Sequence, residues 1–214
     1  PTSSRRQRQM CIRDRCSADL KTSILPPAAI NAAGGFFCVE DIERNTMITE
    51  TNDVILDHKF NALKVNISDR ILTITLNRPE RLNTFDEGMK EDFRWIERRI
   101  EANDEIRCII VNAEGEKAFG AGADVSWFEQ DFPTERFRIE YRWIHDFFDR
   151  LERIEIPVIC AAQGICACGG LELAMSCDFR ICSEDARFGF TEGNINLIPG
   201  SGGCSRLIRL IGPG

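Results

Sequence analysis

Apolar positions along this chain follow two periods, and the change from one to the other marks out its elements. In KVNISDRILTITLN, residues 64–77, apolar and polar side chains alternate on both sides of Ser68-Asp69, which predicts a hairpin of two short strands, the second running from Ile71 to Leu76. From Asp86 to Asn103 the period lengthens. Met89, Phe93, Ile96 and Ile100 stand at steps of four, three and four, one face of a helix, with Asp86 placed to cap its start. IRCIIVNA then runs apolar, as a buried strand does. A second helix is predicted from Glu135 to Arg153 on the stripe Phe137, Tyr141, Ile144, Phe148 and Leu151, and Pro157 breaks the chain before the strand VICAAQG. A helix after Gly169-Gly170, a strand FRICS and a last helix SRLIRLI, stopped by Gly212-Pro213, complete the series. Strands alternating with helices predict an α/β fold with crossover connections. Aromatic stripes of this kind belong to cores, so Trp127, Trp143 and the Phe residues are assigned to packing.

Residues 1–62 sustain neither period and are expected to form an atypical extension, disordered or partly artefactual, ahead of a core at 63–214. The opening PTSSRRQRQMCIRDR resembles translated adapter sequence, with an Arg-rich transit peptide as the rival reading. LPPAAINAAGG reads as loop. At 214 residues and 43% hydrophobic, the chain suits one domain with an appendage.

Charge narrows the partners. The net charge is −7, but the first 15 residues hold five Arg and one Asp, so the rest carries 22 cationic against 33 acidic side chains, or −11. That balance argues against nucleic acid or an anionic membrane as partner of the body. No uninterrupted apolar run of spanning length occurs, so no membrane span is expected. Of the ten Cys, Cys108, Cys160, Cys166, Cys177 and Cys182 lie in apolar runs, where a free thiol packs as a small hydrophobe; they are read as reduced, in a cytoplasmic protein. With no CxxC pair, and with His58 and His145 far from the Cys cluster, no metal site is expected.

Three stretches carry candidate chemistry. In GICACGGLELAMSCD an apolar strand runs into Gly169-Gly170 at a helix start, where unpaired N–H groups attract negative charge and bare α-carbons let a ligand approach. Glu172, the one acid before Asp178 in this run, is at this point either a helix-start carboxylate favoured by the dipole or a working group. KAFGAGADV is a second glycine-bearing loop whose main-chain N–H groups suit an oxyanion. In FGFTEGNINLIPGSGG, Glu192 is either a turn acid or a partner that divides acid and base roles with Glu172.

NRPERLN, AFGAGAD, PVICAAQGICACGGLELAMSCD, RFGFTEGNINLIPGSGG and RLIRLIG, in that order, resemble the enoyl-CoA hydratase/isomerase (crotonase) superfamily over about residues 64–214. The resemblance implies a crotonase-like spiral of ββα turns, incomplete at the C-terminus, because the family continues past the position of Gly214 into helices that cover the site and build trimers. It further implies a CoA thioester as substrate, coenzyme A entering only as part of it and no permanently bound cofactor, and a trimer or hexamer at full length. By position, the oxyanion-hole donors fall on Ala123 and Gly169, and the two acids of the hydratase branch on Glu172 and Glu192. Pro79, Arg81 and Leu82, with Ala121, Gly122, Asp124 and Val125, match the CoA-cradling loops. Three positions depart from the pattern: Cys168 stands where a third glycine is common, Asn196 where a glycine precedes IPG, and Ser126 where a CoA-facing Lys is common. The expected activity is hydration of a trans-2-enoyl-CoA; an isomerase or other acyl-CoA enzyme of the superfamily, or a non-catalytic fragment, is the alternative.

Overall fold

The computed structural model describes residues 55–100, 103–127 and 133–213, apart from the side chains of Trp127, Thr134, Phe137 and Glu140. Residues 1–54 of the extension expected at 1–62, and the packing assigned to Trp127 and Phe137, lie outside the described residues and side chains.

The predicted hairpin is present: β1 (Leu63–Ser68) pairs antiparallel with β2 (Ile71–Leu76), with Leu63 opposite Leu76. Its turn is Asp69-Arg70, one residue later than the Ser-Asp turn expected, and both residues have positive φ (52° and 64°), the backbone that matches strand twist in a two-residue loop. Helix α1 (Glu87–Ile100) starts where Asp86 accepts the Met89 N–H at 2.9 Å, and Met89, Phe93, Ile96 and Ile100 are all buried.

From there the chain repeats one unit. β3 (Cys108–Ala113) and β4 (Ala118–Gly120) precede α2 (Thr134–Arg153); β5 (Val158–Ala162) and β6 (Ile165–Ala167) precede α3 (Gly169–Ser176); β7 (Phe179–Cys182) and β8 (Arg187–Gly189) precede α4 (Gly203–Ile211). The first strand of each unit joins a five-stranded sheet, ordered β1-β2-β3-β5-β7, and the second joins a three-stranded sheet, β4-β6-β8. Every pairing between these strands after the hairpin is parallel. This is the spiral of ββα turns that the motifs implied.

The core lies between the large sheet and the helices. Leu72, Ile74, Leu76, Ile109 and Val111 of the sheet meet Phe93, Phe147, Phe148 and Leu151 of α1 and α2, and Phe93 stacks on Phe147 at 4.3 Å between ring centres. Residues 55–62 pack here too: Ile55 and Ala62 are buried, and the buried Asp92 carboxylate accepts the backbone N–H groups of Asn61, Ala62 and Leu63 at 2.9, 2.7 and 3.1 Å. Cys160, Cys166 and Cys177 are buried as small hydrophobes, whereas Cys182, at the end of β7, the edge strand among the described residues, is exposed. Among the described residues no helix is long and apolar enough to cross a membrane, and no three metal-ligating side chains cluster.

Candidate active site

The three-residue strands of the small sheet fix the site, because the loops that follow β4 and β6 lie side by side. Residues 121–124 run on from β4 and pair with the loop after β2: Ala121 N–H donates to Leu82 O at 3.1 Å, Phe85 N–H to Gly122 O at 2.8 Å, and Asp124 N–H to Phe85 O at 2.9 Å. A parallel bridge of this kind uses the groups on either side of Ala123 and turns Ala123's own N–H the other way. On the opposite flank lies the start of α3. Gly122 (φ 96°) is so close to it that a Cβ there would stand 2.7 Å from Cys168 Cβ and 3.0 Å from Gly169 N. A Cβ on Gly170 would strike the carbonyl of Gly120. Neither the Ala123 nor the Gly169 N–H has an acceptor among the described residues.

Two side chains that the pattern of the sequence does not single out build this floor. Asn83, fully buried and left-handed (φ 52°), accepts the Arg78 N–H at 2.8 Å and donates to Glu114 O at 3.0 Å and Ala118 O at 2.8 Å, tying the first loop to β4. Arg78 bonds the Thr84 carbonyl at 2.6 Å and pairs with Asp86 at 3.0 Å and Asp124 at 3.6 Å. Burial raises the Asp124 carboxyl, but hydrogen bonds from Ser126 (Oγ at 2.8 Å) and Thr84, with the Arg78 charge, outweigh it and hold the group below its usual range. Ser126, at the position where a Lys is common, is thus engaged with Asp124. Of the other loop residues, Leu82, Ala121 and Gly122 line the joined loops, while Arg81 and Val125 are exposed at their outer end.

Glu172 sits in the first turn of α3 with 2% of its surface exposed. Its Oε1 accepts two backbone N–H groups from the turn before α4, Ser201 at 2.7 Å and Gly203 at 2.8 Å. Burial pushes its pKa up; the two N–H groups oppose this, the Glu192 charge adds to it, and the Arg206 charge opposes it. Glu192 opens the short turn Glu192–Ile195, whose end is capped by Asn196 in the left-handed conformation (φ 58°), the backbone that makes Asn the best stand-in for glycine there. Its Oε2 is buried and has no hydrogen-bond partner among the described residues. The structure therefore brings both acids to one place, beside the start of α3.

Two more side chains face them. Tyr141 of α2, placed by the sequence only on the helix's apolar stripe, is raised to about 12 by burial and the Glu172 charge, with Glu192 and Cys168 adding to the rise, so it stays a neutral hydroxyl. Its ring packs on Gly200, where a Cβ would stand 3.2 Å from Cε1. Cys168, directly before α3, has φ 50° and ψ −125°, a backbone that suits glycine, and its thiol lies 3.0 Å from the Thr191 hydroxyl. Burial raises that thiol's pKa, so it is not an activated thiolate. Tyr141 could have been found from sequence only by its polar tip on an otherwise apolar stripe.

The profile of the family described as Enoyl-CoA hydratase/isomerase matches residues 66–214. The chain is 38% identical over 167 residues to the short-chain-enoyl-CoA hydratase of Clostridium acetobutylicum, covering 77% of this chain and 59% of that protein. It is 34% identical over 146 residues to the crotonyl-CoA hydratase of Syntrophomonas wolfei, covering 68% and 56%. Among solved structures, the enoyl-CoA hydratase of Bacillus anthracis superposes with a TM-score of 0.67 at 36% identity, covering 72% of this chain and 60% of that one. The chain thus spans somewhat under two thirds of the length of the relatives it matches. It belongs to the enoyl-CoA hydratase/isomerase (crotonase) family.

Proposed function

We propose that this protein is an enoyl-CoA hydratase that adds water in syn fashion across a trans-2-enoyl-CoA thioester. The observation that carries the reading is the pairing of two electrostatically coupled carboxylates, Glu172 and Glu192, beside two main-chain amides, Ala123 and Gly169, with no acceptor of their own among the described residues. Family members act on CoA thioesters, and the joined loops at Leu82 and Ala121–Asp124, with Arg81 and Val125 at their rim, are assigned to the CoA moiety. Coenzyme A is then part of the substrate, and no other cofactor is required.

In this reading the thioester oxygen takes the Ala123 and Gly169 N–H groups, which stabilise the negative charge that forms there; one such donor is worth about 3 kcal/mol of barrier. Glu172, with Oε1 fixed by Ser201 and Gly203, removes a proton from water through Oε2. The water oxygen bonds to Cβ, the π pair moves into the enolate, and Glu192 gives its proton to Cα. Two carboxylates with separated environments serve this exchange, whereas a double-bond shift needs only one, which is why hydration is placed ahead of isomerisation. The full-length protein is assigned to the cytoplasm as a homo-oligomer.

The test is the loss of enoyl absorbance when the purified protein meets crotonyl-CoA, repeated with Glu172→Gln. Hydration that falls by about a thousandfold in the variant supports the reading. Double-bond migration that survives Glu172→Gln, with no hydration in the parent, replaces it with an isomerase working through Glu192.

A further inference from the structure

Arg206, on the first turns of α4, is 6% exposed, an unusual place for a guanidinium. Its Nη1 donates to the Ser201 carbonyl at 2.6 Å, its Nη2 to Asp149 at 2.7 Å, and its Nε to Glu152 at 3.0 Å, so one planar fork joins α4, the turn before it and α2. Gly202 makes this reach possible: its φ is 95°, and a side chain there would collide with the guanidinium. The turn 201–203 is consequently gripped from both sides, with its carbonyl on Arg206 and its Ser201 and Gly203 N–H groups on Glu172 Oε1.

We propose that Arg206 is a positioning residue for Glu172: anchored on Asp149 and Glu152, it fixes the Ser201 carbonyl and so aims the two N–H groups that hold the carboxylate. The catalytic part of this rests on the reading of Glu172 as the base; the positional part does not. Peptide dipoles of the turn lie between a cation and an anion, an arrangement that favours ionised Glu172. The other groups facing Glu172 are Glu192 from its short turn and Tyr141 from α2, with Cys168 ahead of α3 beside Glu192 and Tyr141, while His145 lies near Asp149 and Arg206 behind. Loss of Arg206 removes a cation from beside Asp149 and Glu152, which acts in the same direction as the loss of the turn: both raise the pH at which Glu172 ionises.

The test follows the Glu172 side-chain carboxyl by carbon-13 NMR in glutamate-labelled protein, the signal being identified by its absence in Glu172→Gln. Arg206→Gln is expected to move the titration to higher pH, to lower kcat for crotonyl-CoA by about 10²-fold and to leave KM within about twofold. Arg206→Lys keeps the charge without the three-way fork and is expected to fall between, and it carries the test if the Gln variant does not fold. A folded variant whose Glu172 titrates as in the parent overturns the proposal, because a purely structural clamp lowers stability without moving that signal. A parent protein that hydrates nothing, with the titration still displaced in the variants, sinks the hydratase reading and leaves the positioning role standing.

Discussion

Glu172 Oε1 accepts the Ser201 N–H at 2.7 Å across 29 residues of chain, so a carboxylate on one helix is held by the turn that begins the next. The acid is nevertheless ill-solvated, and burial lifts its pKa. Ionising it therefore costs stability: the cost is absent below its unfolded-state value, grows as pH rises through the folded value and is complete above it. Gln keeps the acceptor and never ionises. Glu172→Gln is expected to melt above the parent at neutral pH and level with it near about pH 4, as thermal denaturation across pH will read. A variant that melts lower at neutral pH would contradict the electrostatic account.

Cys168 holds a backbone conformation costly for any residue with a Cβ. Cys168→Gly and Cys168→Ala both remove the thiol and its contact with Thr191, so their difference isolates the backbone. The Gly variant is expected to be the more stable by about 1 kcal/mol in urea unfolding. Equal midpoints would mean that the turn is not strained.

Gly170 faces the Gly120 carbonyl with no room for a methyl group. Gly170→Ala is expected to cost about 3 kcal/mol or more and to separate the loops after β4 and β6. Gly193, with no atom within 4 Å of an added Cβ, is the control: Gly193→Ala should stay within about 0.5 kcal/mol of the parent. Denaturant midpoints of the two decide it.

The buried Asp92 carboxylate satisfies three successive backbone N–H groups, those of Asn61, Ala62 and Leu63. Asp92→Ala strands them and is expected to cost about 3 kcal/mol or more. Amide hydrogen exchange at 61–63 should accelerate in the variant before the large sheet loses protection. Unchanged exchange there would show that the carboxylate is not the clasp.

What the sequence disclosed depended on how long each signal was. Fourteen residues of α1 and twenty of α2 repeat their apolar face often enough to be recognised, and Asp86 was legible as a cap because it stands just ahead of the first apolar step. β4 and β8, at three residues each, are too short to repeat the strand alternation, and KAFGAGADV and FGFTEGNINLIPGSGG read as loop and turn for that reason. Glu172 and Glu192 stood out as acids in apolar or glycine-rich company. Arg206 did not, since an Arg inside SRLIRLI is what the wet side of an amphipathic helix carries; only its partners on α2, more than fifty residues earlier, reveal that it is buried.

The spiral also sets how this chain must acquire its structure. Among the described strands only the hairpin joins near neighbours; Ile71 waits for Cys108, Ile109 for Val158 and Ile159 for Phe179 before those ladders close. Such distant pairings bring the entropy loss ahead of the reward, so slow refolding is expected, with half-built intermediates that offer bare strand edges to one another. Recovery from denaturant should accordingly fall as protein concentration rises, long before chemistry at the site is in question.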